Sequence, residues 1–189
     1  MRHVIVLLLA VSCAGYAASD RYDVDPEHFT VGFLVEHVGF AKVFGMFRVA
    51  EASFSFNEES ALVSDVRVVI KADSIFTGID ARDRHLRSED FLSVKVYPNI
   101  VFESDRTILK KRKGYLTGTL TILGVSKPLT LTVTWNKSGV SPLPGSPYVA
   151  GFSLRGSFER SDFGMNYGIG DGLVGDTVEL IIELEAHRQ

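Results

Sequence analysis

The chain has 189 residues, 46% hydrophobic and 23% charged, with a formal net charge of −3. That length makes one domain with a substantial core. The absence of a basic stripe with interleaved aromatics excludes the usual electrostatic footprint of nucleic-acid binding. Thirteen Phe stand against one Trp. Phe brings apolar surface with no polar atom to satisfy, so such an interior suits contents with few hydrogen-bonding groups as well as it suits a plain packed core.

Residues 1–18 begin with Met1-Arg2-His3, continue through an apolar run at 4–10 and end in small residues. This is the pattern of a secretory signal peptide, too short to span a bilayer as an anchor. Cleavage after Ala17 or Ala18 leaves a mature chain that starts near Ser19, with the domain taken as residues 19–189. Cys13, the only cysteine, lies inside the leader, so the mature domain has no disulfide and depends on packing. Ala10-Val11-Ser12-Cys13 approximates a bacterial lipoprotein site, with Ala10 where Leu is usual; lipid anchoring through Cys13 is the alternative to plain cleavage. Without the leader, 19 basic residues face 23 acidic ones, a formal net charge of −4.

From Phe29 onward, period-two alternation recurs with few interruptions. Phe29, Val31, Phe33, Val35 and His37 share one face. Ala50, Ala52, Phe54 and Phe56 share the next, followed by Val66, Val68, Ile70 and Ala72. The second half continues with Ile100 and Phe102, then Leu116, Gly118, Leu120 and Ile122, then Leu129, Leu131, Val133 and Trp135. Phe152, Leu154, Gly156 and Phe158 precede the last set, Val178, Leu180, Ile182 and Leu184. Turn residues at 57–60, 113–114, 124–128 and 142–145 separate the strands. Eight long antiparallel strands need closure to hide their edges. The expected architecture is a single all-β, extended, lipocalin-like antiparallel barrel of eight strands. Barrels of that size can enclose one small ligand.

One compact charged segment interrupts the strands. Residues 80–92 are expected to form a short helix of about three turns, with Asp80 as N-cap and Asp83 pairing with Arg87. Such a helix is marginal alone and must be held against the barrel. Lys110-Lys111-Arg112-Lys113 reads as a solvated hairpin tip, and the glycine-rich stretch 164–175 as a mobile loop or a succession of turns.

Several blocks, in order and spacing, carry a family resemblance across nearly the whole mature chain. They are Tyr22-Asp23-Val24-Asp25-Pro26-Glu27-His28, Val35-Glu36-His37-Val38-Gly39, Gly45-Met46-Phe47, and Ala72-Asp73-Ser74-Ile75 with Thr77-Gly78. Arg82-Asp83-Arg84-His85-Leu86-Arg87-Ser88-Glu89-Asp90-Phe91 follows, then Tyr97-Pro98-Asn99-Ile100-Val101-Phe102-Glu103-Ser104. Gly118-Thr119-Leu120-Thr121-Ile122-Leu123-Gly124-Val125-Ser126-Lys127-Pro128 and Arg160-Ser161-Asp162-Phe163-Gly164-Met165 complete the set. The chain resembles the YceI-like family of bacterial polyisoprenoid-binding proteins. The resemblance implies export to the periplasm and an apolar barrel interior that binds a long isoprenoid chain, such as a quinone tail or a polyprenyl lipid. It does not imply catalysis, and the bound lipid stands in place of any cofactor.

An isoprenoid tail needs a tunnel of aromatic and branched side chains with a few polar groups at one end. Phe33, Val35, Phe54, Val68, Ile70, Phe102, Leu120 and Phe152 are the expected lining. His37 and His85 are candidates for a polar mouth, against the plainer reading of rim histidines satisfied by their surroundings. Arg160, Asp162 and Asp83 are expected to form salt bridges that fix the loops. No metal-ligand spacing is present among the histidines. Competing readings are a hydrolase or isomerase on a hydrophobic substrate, with His37 or His85 as general base, and a structural barrel with a filled core. For the former, the sequence offers no nucleophile in a recognisable context. The expected partner is an isoprenoid or quinone-like lipid, without nucleic acid or a stable membrane span; homodimerisation is left open.

Overall fold

Each strand turns one apolar face inward, and those faces meet inside a closed barrel. The computed structural model describes residues 18–143, 145 and 147–189; the expected leader, with Cys13, lies outside the described residues. The strands are β1 (Asp20–His37), β2 (Ala41–Phe47), β3 (Ala50–Asn57), β4 (Leu62–Lys71), β5 (Ile75–Phe76), β6 (Asn99–Ile108), β7 (Lys113–Ile122), β8 (Val125–Val140), β9 (Tyr148–Glu159) and β10 (Val174–Arg188). Around the barrel the order is β1-β3-β4-β6-β7-β8-β9-β10, and β10 pairs back onto β1. This is the expected closed, eight-stranded antiparallel barrel. Closure removes the open edges of the sheet; β6 and β7 pair only from Val101↔Thr121 to Glu103↔Thr119, and beyond that the Ser104 and Thr107 hydroxyls donate to the Thr117 and Tyr115 carbonyls.

β2 and β5 extend the barrel at one end. β1 pairs first with β3, from Asp20↔Phe56 to Asp23↔Ser53, and later with β2, from Val31↔Phe47 to His37↔Ala41. β2 and β3 thus act as one long strand broken at Arg48-Val49. β5 continues the line of β4 past a short 3₁₀ turn and pairs with β2. β2 is not among the strands expected from alternation because its pattern is disguised. Gly45 occupies an inward position that the Phe33 ring covers, so closely that a Cβ there would lie 2.2 Å from Cζ of that ring.

One end of the barrel is solid. Tyr22 stacks on Phe54 at 5.5 Å, Phe152 meets Phe54 edge-on at 5.4 Å, and Phe56 packs edge-on to Phe152 at 5.3 Å and to Trp135 at 5.0 Å. The hydroxyls of Tyr22 and Tyr148 each donate to Glu58 at 3.2 Å, tying β1 and β9 to the β3–β4 turn. Burial, together with the Glu58 carboxylate, pushes the Tyr22 phenol well above its ordinary pKa, so it stays a donor.

At the opposite end lies α1 (Asp80–Leu86). Its seven residues make about two turns, shorter than expected. Ile79, not Asp80, is the N-cap residue, without a side-chain cap bond. Asp83 does not pair with Arg87. The 3₁₀ break after β4 leaves backbone groups in need of partners, and the charged side chains serve them. Asp83, buried, accepts from the Thr77 backbone N–H at 2.9 Å and from its hydroxyl. Arg82 donates to the Thr77 hydroxyl oxygen at 2.7 Å and to its carbonyl at 2.8 Å. Arg87 donates to the carbonyls of Asp73 and Ile75. This web, with Phe91 and Leu92 buried behind it, holds a helix too short to persist alone.

Between Val24 and Phe29, β1 bulges away from β10. Pro26, lacking an N–H, stands in the stretch that leaves the ladder. Asp25 bonds His28 Nδ1 at 2.6 Å and takes the Glu27 N–H at 3.0 Å. Donating this hydrogen bond to Asp25 raises the His28 pKa, and accepting it lowers that of Asp25. The His28 contribution is complete below its unfolded value and lost as pH rises through the raised one; the Asp25 contribution is lost as pH falls through its lowered one. The bulge is therefore best held between about pH 4 and 6.5, the ordinary values of the two groups. An NMR titration should place the His28 midpoint above the ordinary histidine value, and Asp25→Asn should return it there.

Gly118 provides a packing test. A Cβ there would lie 2.3 Å from the Glu103 carbonyl oxygen and 2.6 Å from Cζ of Phe102. Gly118→Ala should therefore destabilise the barrel by about 1–3 kcal/mol, measured as a lower urea midpoint with an unchanged slope.

Candidate ligand-binding cavity

Above the aromatic floor the barrel is hollow. Its cavity measures about 600 Å³, inside the range of roughly 300–1,000 Å³ typical of pockets that engulf a small ligand. Along β10 the lining runs from Val174 to Leu184. Ten residue rises make about 33 Å of strand, or about 25 Å along the axis at a usual barrel tilt of ~40°. The space is elongated, and a filled core describes only its closed end.

Seven of the eight expected lining residues face this cavity: Phe33, Val35, Phe54, Val68, Ile70, Phe102 and Leu120. Phe152 lies below it, packed against Phe54 and Phe56 in the floor. Alternation gives the side of the sheet a residue faces, not its height in the barrel. Other wall residues went unassigned, including Val43 on the disguised β2 and Phe158, Leu180 and Ile182 on strands already recognised as inward-facing. Their alternation was the available signal.

Polar groups gather at the α1 end. Glu36, His37, Thr77, Arg82, His85, Arg160 and Tyr167 all border the cavity there. His37 and His85 thus lie at one mouth, brought together by the end of β1 and by α1. His85 Nε2 lies 2.8 Å from an Asp90 carboxylate oxygen. The His85 ring meets Phe91 edge-on at 5.0 Å and Tyr167 at 4.8 Å. Imidazole, phenol and phenyl rings thus form one wall of the mouth, with polar edges beside an apolar surface.

Arg160 is the largest fully buried side chain at this end, and it forms no salt bridge with Asp162 or Asp83. Asp162 is exposed and Asp83 is committed to Thr77. Instead the guanidinium donates to the carbonyls of Met165, Tyr167, Val174 and Gly175 at 2.7–2.9 Å. The glycine-rich stretch is therefore a succession of turns wrapped around one side chain. Burial draws the Arg160 pKa down from its ordinary value, and nearby Asp176 partly offsets this. Asp176 takes the Ser161 backbone N–H at 2.8 Å and the Ser161 hydroxyl at 2.6 Å. Burial pushes its carboxyl up, but these bonds outweigh that and hold it below the usual range. Among the described residues, no group of three or more His, Cys, Asp or Glu side chains converges to hold a metal ion.

A model of the YceI-like domain matches residues 22–186. The chain belongs to the YceI-like family. A UPF0312 protein of Yersinia enterocolitica is 35% identical over 178 residues, which cover 93% of this chain and 90% of that one. The crystal structure of a Campylobacter jejuni YceI protein is 33% identical, with a TM-score of 0.72 over 82% of this chain and 90% of that one. A polyisoprenoid-binding domain from Saccharophagus degradans shares the fold, at 14% identity and a TM-score of 0.64 over 89% of this chain and 98% of that one.

If Arg160 organises the mouth, replacing it by an apolar side chain of similar length orphans four carbonyls. Arg160→Met should cost about 3 kcal/mol or more, at about 1–3 kcal/mol per unsatisfied buried group. In hydrogen exchange the Val174 amide, which donates to Gly168, should lose protection before the β8–β9 ladder does.

Proposed function

We propose that this protein is a non-catalytic binder of an isoprenoid lipid, holding a quinone or polyprenyl tail inside the barrel after export to the periplasm, where it carries or sequesters that lipid. The observation that supports this reading is the elongated apolar cavity, closed by an aromatic floor and bordered by polar groups at the α1 end only. The polyisoprenoid-binding domain of Saccharophagus degradans, which shares the fold, supports the same ligand class. The leader pattern of residues 1–18 supports export.

The physics favours tails over heads. Each buried five-carbon unit contributes up to about 3–4 kcal/mol, at ~0.8 kcal/mol per carbon group, less the entropy of holding a flexible chain. Cavity length therefore discriminates tail length. Head-group selection falls to the mouth. His37, His85 and Tyr167 are suited to it, and so is Arg82, whose guanidinium has donor capacity beyond its two bonds to Thr77.

A titration with prenyl quinones of increasing tail length tests the proposal. Affinity should rise at least about tenfold per isoprene unit and level off once the cavity is full. Leu120→Trp, which puts an indole in place of the isobutyl side chain on the cavity wall, should bring the plateau to a shorter tail. An affinity that ignores tail length would defeat the reading. His37→Ala and His85→Ala should change the preference among head groups and leave the tail-length dependence intact.

A further inference from the structure

The β1–β2 hairpin stands beside the cavity mouth and carries a side chain no part of the barrel uses. Phe40, at the turn, is 90% exposed, the most of any aromatic residue described, with Tyr115 next at 70%. Its neighbours place it at the rim. Glu36 and His37, just before the turn, border the cavity. The Val38 N–H donates to the carbonyl of Leu173 at 3.1 Å. Leu173 itself lines the cavity and is 43% exposed. Apolar surface thus runs from the cavity wall through Leu173 to Val38 and Phe40, with Tyr167 at the same mouth.

The turn is held in a costly shape. Phe40 N–H bonds the His37 carbonyl at 3.1 Å, and the two central residues, Val38 and Gly39, have φ of 52° and 71°. Glycine accepts that left-handed conformation, whereas a β-branched residue does so only under strain. The same left-handed pair recurs at Leu123-Gly124; what sets the 38–40 tip apart is its exposed apolar side chain beside the cavity mouth.

We propose that this tip is a membrane-docking element: Phe40, Val38 and Leu173 insert into the surface of a phospholipid bilayer and set the mouth against the lipid phase. The inference rests on the lipid-binding reading, because a bilayer is where an isoprenoid tail resides. The size of the patch selects this occupant over a protein. Three partly exposed side chains on a convex tip offer about 300 Å², against roughly 800 Å² per partner in a standard interface. A fluid acyl layer needs no complementary surface, and aromatic and aliphatic side chains partition into its boundary.

The test is vesicle flotation with a chain starting at Ser19, which retains every strand of the barrel and removes the apolar leader. Vesicles contain equal parts phosphatidylethanolamine and phosphatidylglycerol. The wild-type chain should co-float, and Phe40→Ser should lower the partition coefficient about tenfold or more, the loss expected when one aromatic side chain stays in water. Ile108→Ser removes an exposed apolar residue, 62% accessible, at the filled end of the barrel and should leave flotation unchanged. Failure of the wild type to float, or equal losses in both variants, overturns the proposal. So does a dimer in sedimentation that Phe40→Ser dissolves without any vesicle binding. Uptake of a short prenyl quinone from detergent, measured on the same proteins, separates the two readings. Uptake without flotation removes the docking element alone; flotation lost in Phe40→Ser without uptake upholds the docking element and removes the isoprenoid.

Discussion

The pairing of β10 with β1, from Tyr22↔Arg188 to His37↔Val174, is the constraint on which everything else depends. It converts a sheet with two open edges into a tube, and it forces every second side chain of eight strands into a shared interior. With the backbone satisfied by its own ladder, what fills that interior is a matter of side-chain size. At one end, Tyr22, Phe54, Phe56, Trp135 and Phe152 are large enough to meet across the axis. Toward α1 the inward residues are mostly Val, Leu and Ile, which leave the axis empty. The same closure thus yields a rigid floor and a hollow chamber from one continuous sheet.

Polar chemistry is concentrated where the tube must be finished. The stretch that leads from β4 to β6 and the stretch between β9 and β10 cannot join the ladder, so their carbonyls need other donors. Arg82 and Arg87 supply them on one side of the mouth, and Arg160 on the other. A guanidinium suits this work because its planar fork serves several acceptors at once and keeps its charge when buried. The residues that look most like catalytic or ion-pairing groups in the sequence are in large part the scaffold of the opening.

The barrel was legible because alternation survives in each of its eight staves, from Phe29 onward. The chamber was largely legible as well, since inward faces follow directly from that alternation. Three things were not. Height along the axis does not appear in a period of two, so Phe152 could not be told from the residues above it. β2 was hidden because Phe33 supplies from the neighbouring strand the bulk that Gly45 lacks. Asp83 accepts from the Thr77 backbone N–H and Arg160 donates to carbonyls of the 165–175 turns, and backbone donors and acceptors have no signature in a sequence. Opposite charges close together suggested ion pairs; the unsatisfied backbone was the stronger claimant.

Occupation of the chamber by a long apolar tail is the proposal that one measurement tests most directly. Protein purified gently from its own host should be weighed intact by native mass spectrometry and then extracted into organic solvent. A bound mass lost on extraction, and recovered in the organic phase as a prenyl lipid in near-stoichiometric amount, is the predicted result. An intact mass equal to that of the bare chain, or an extract free of prenyl lipid, would contradict it.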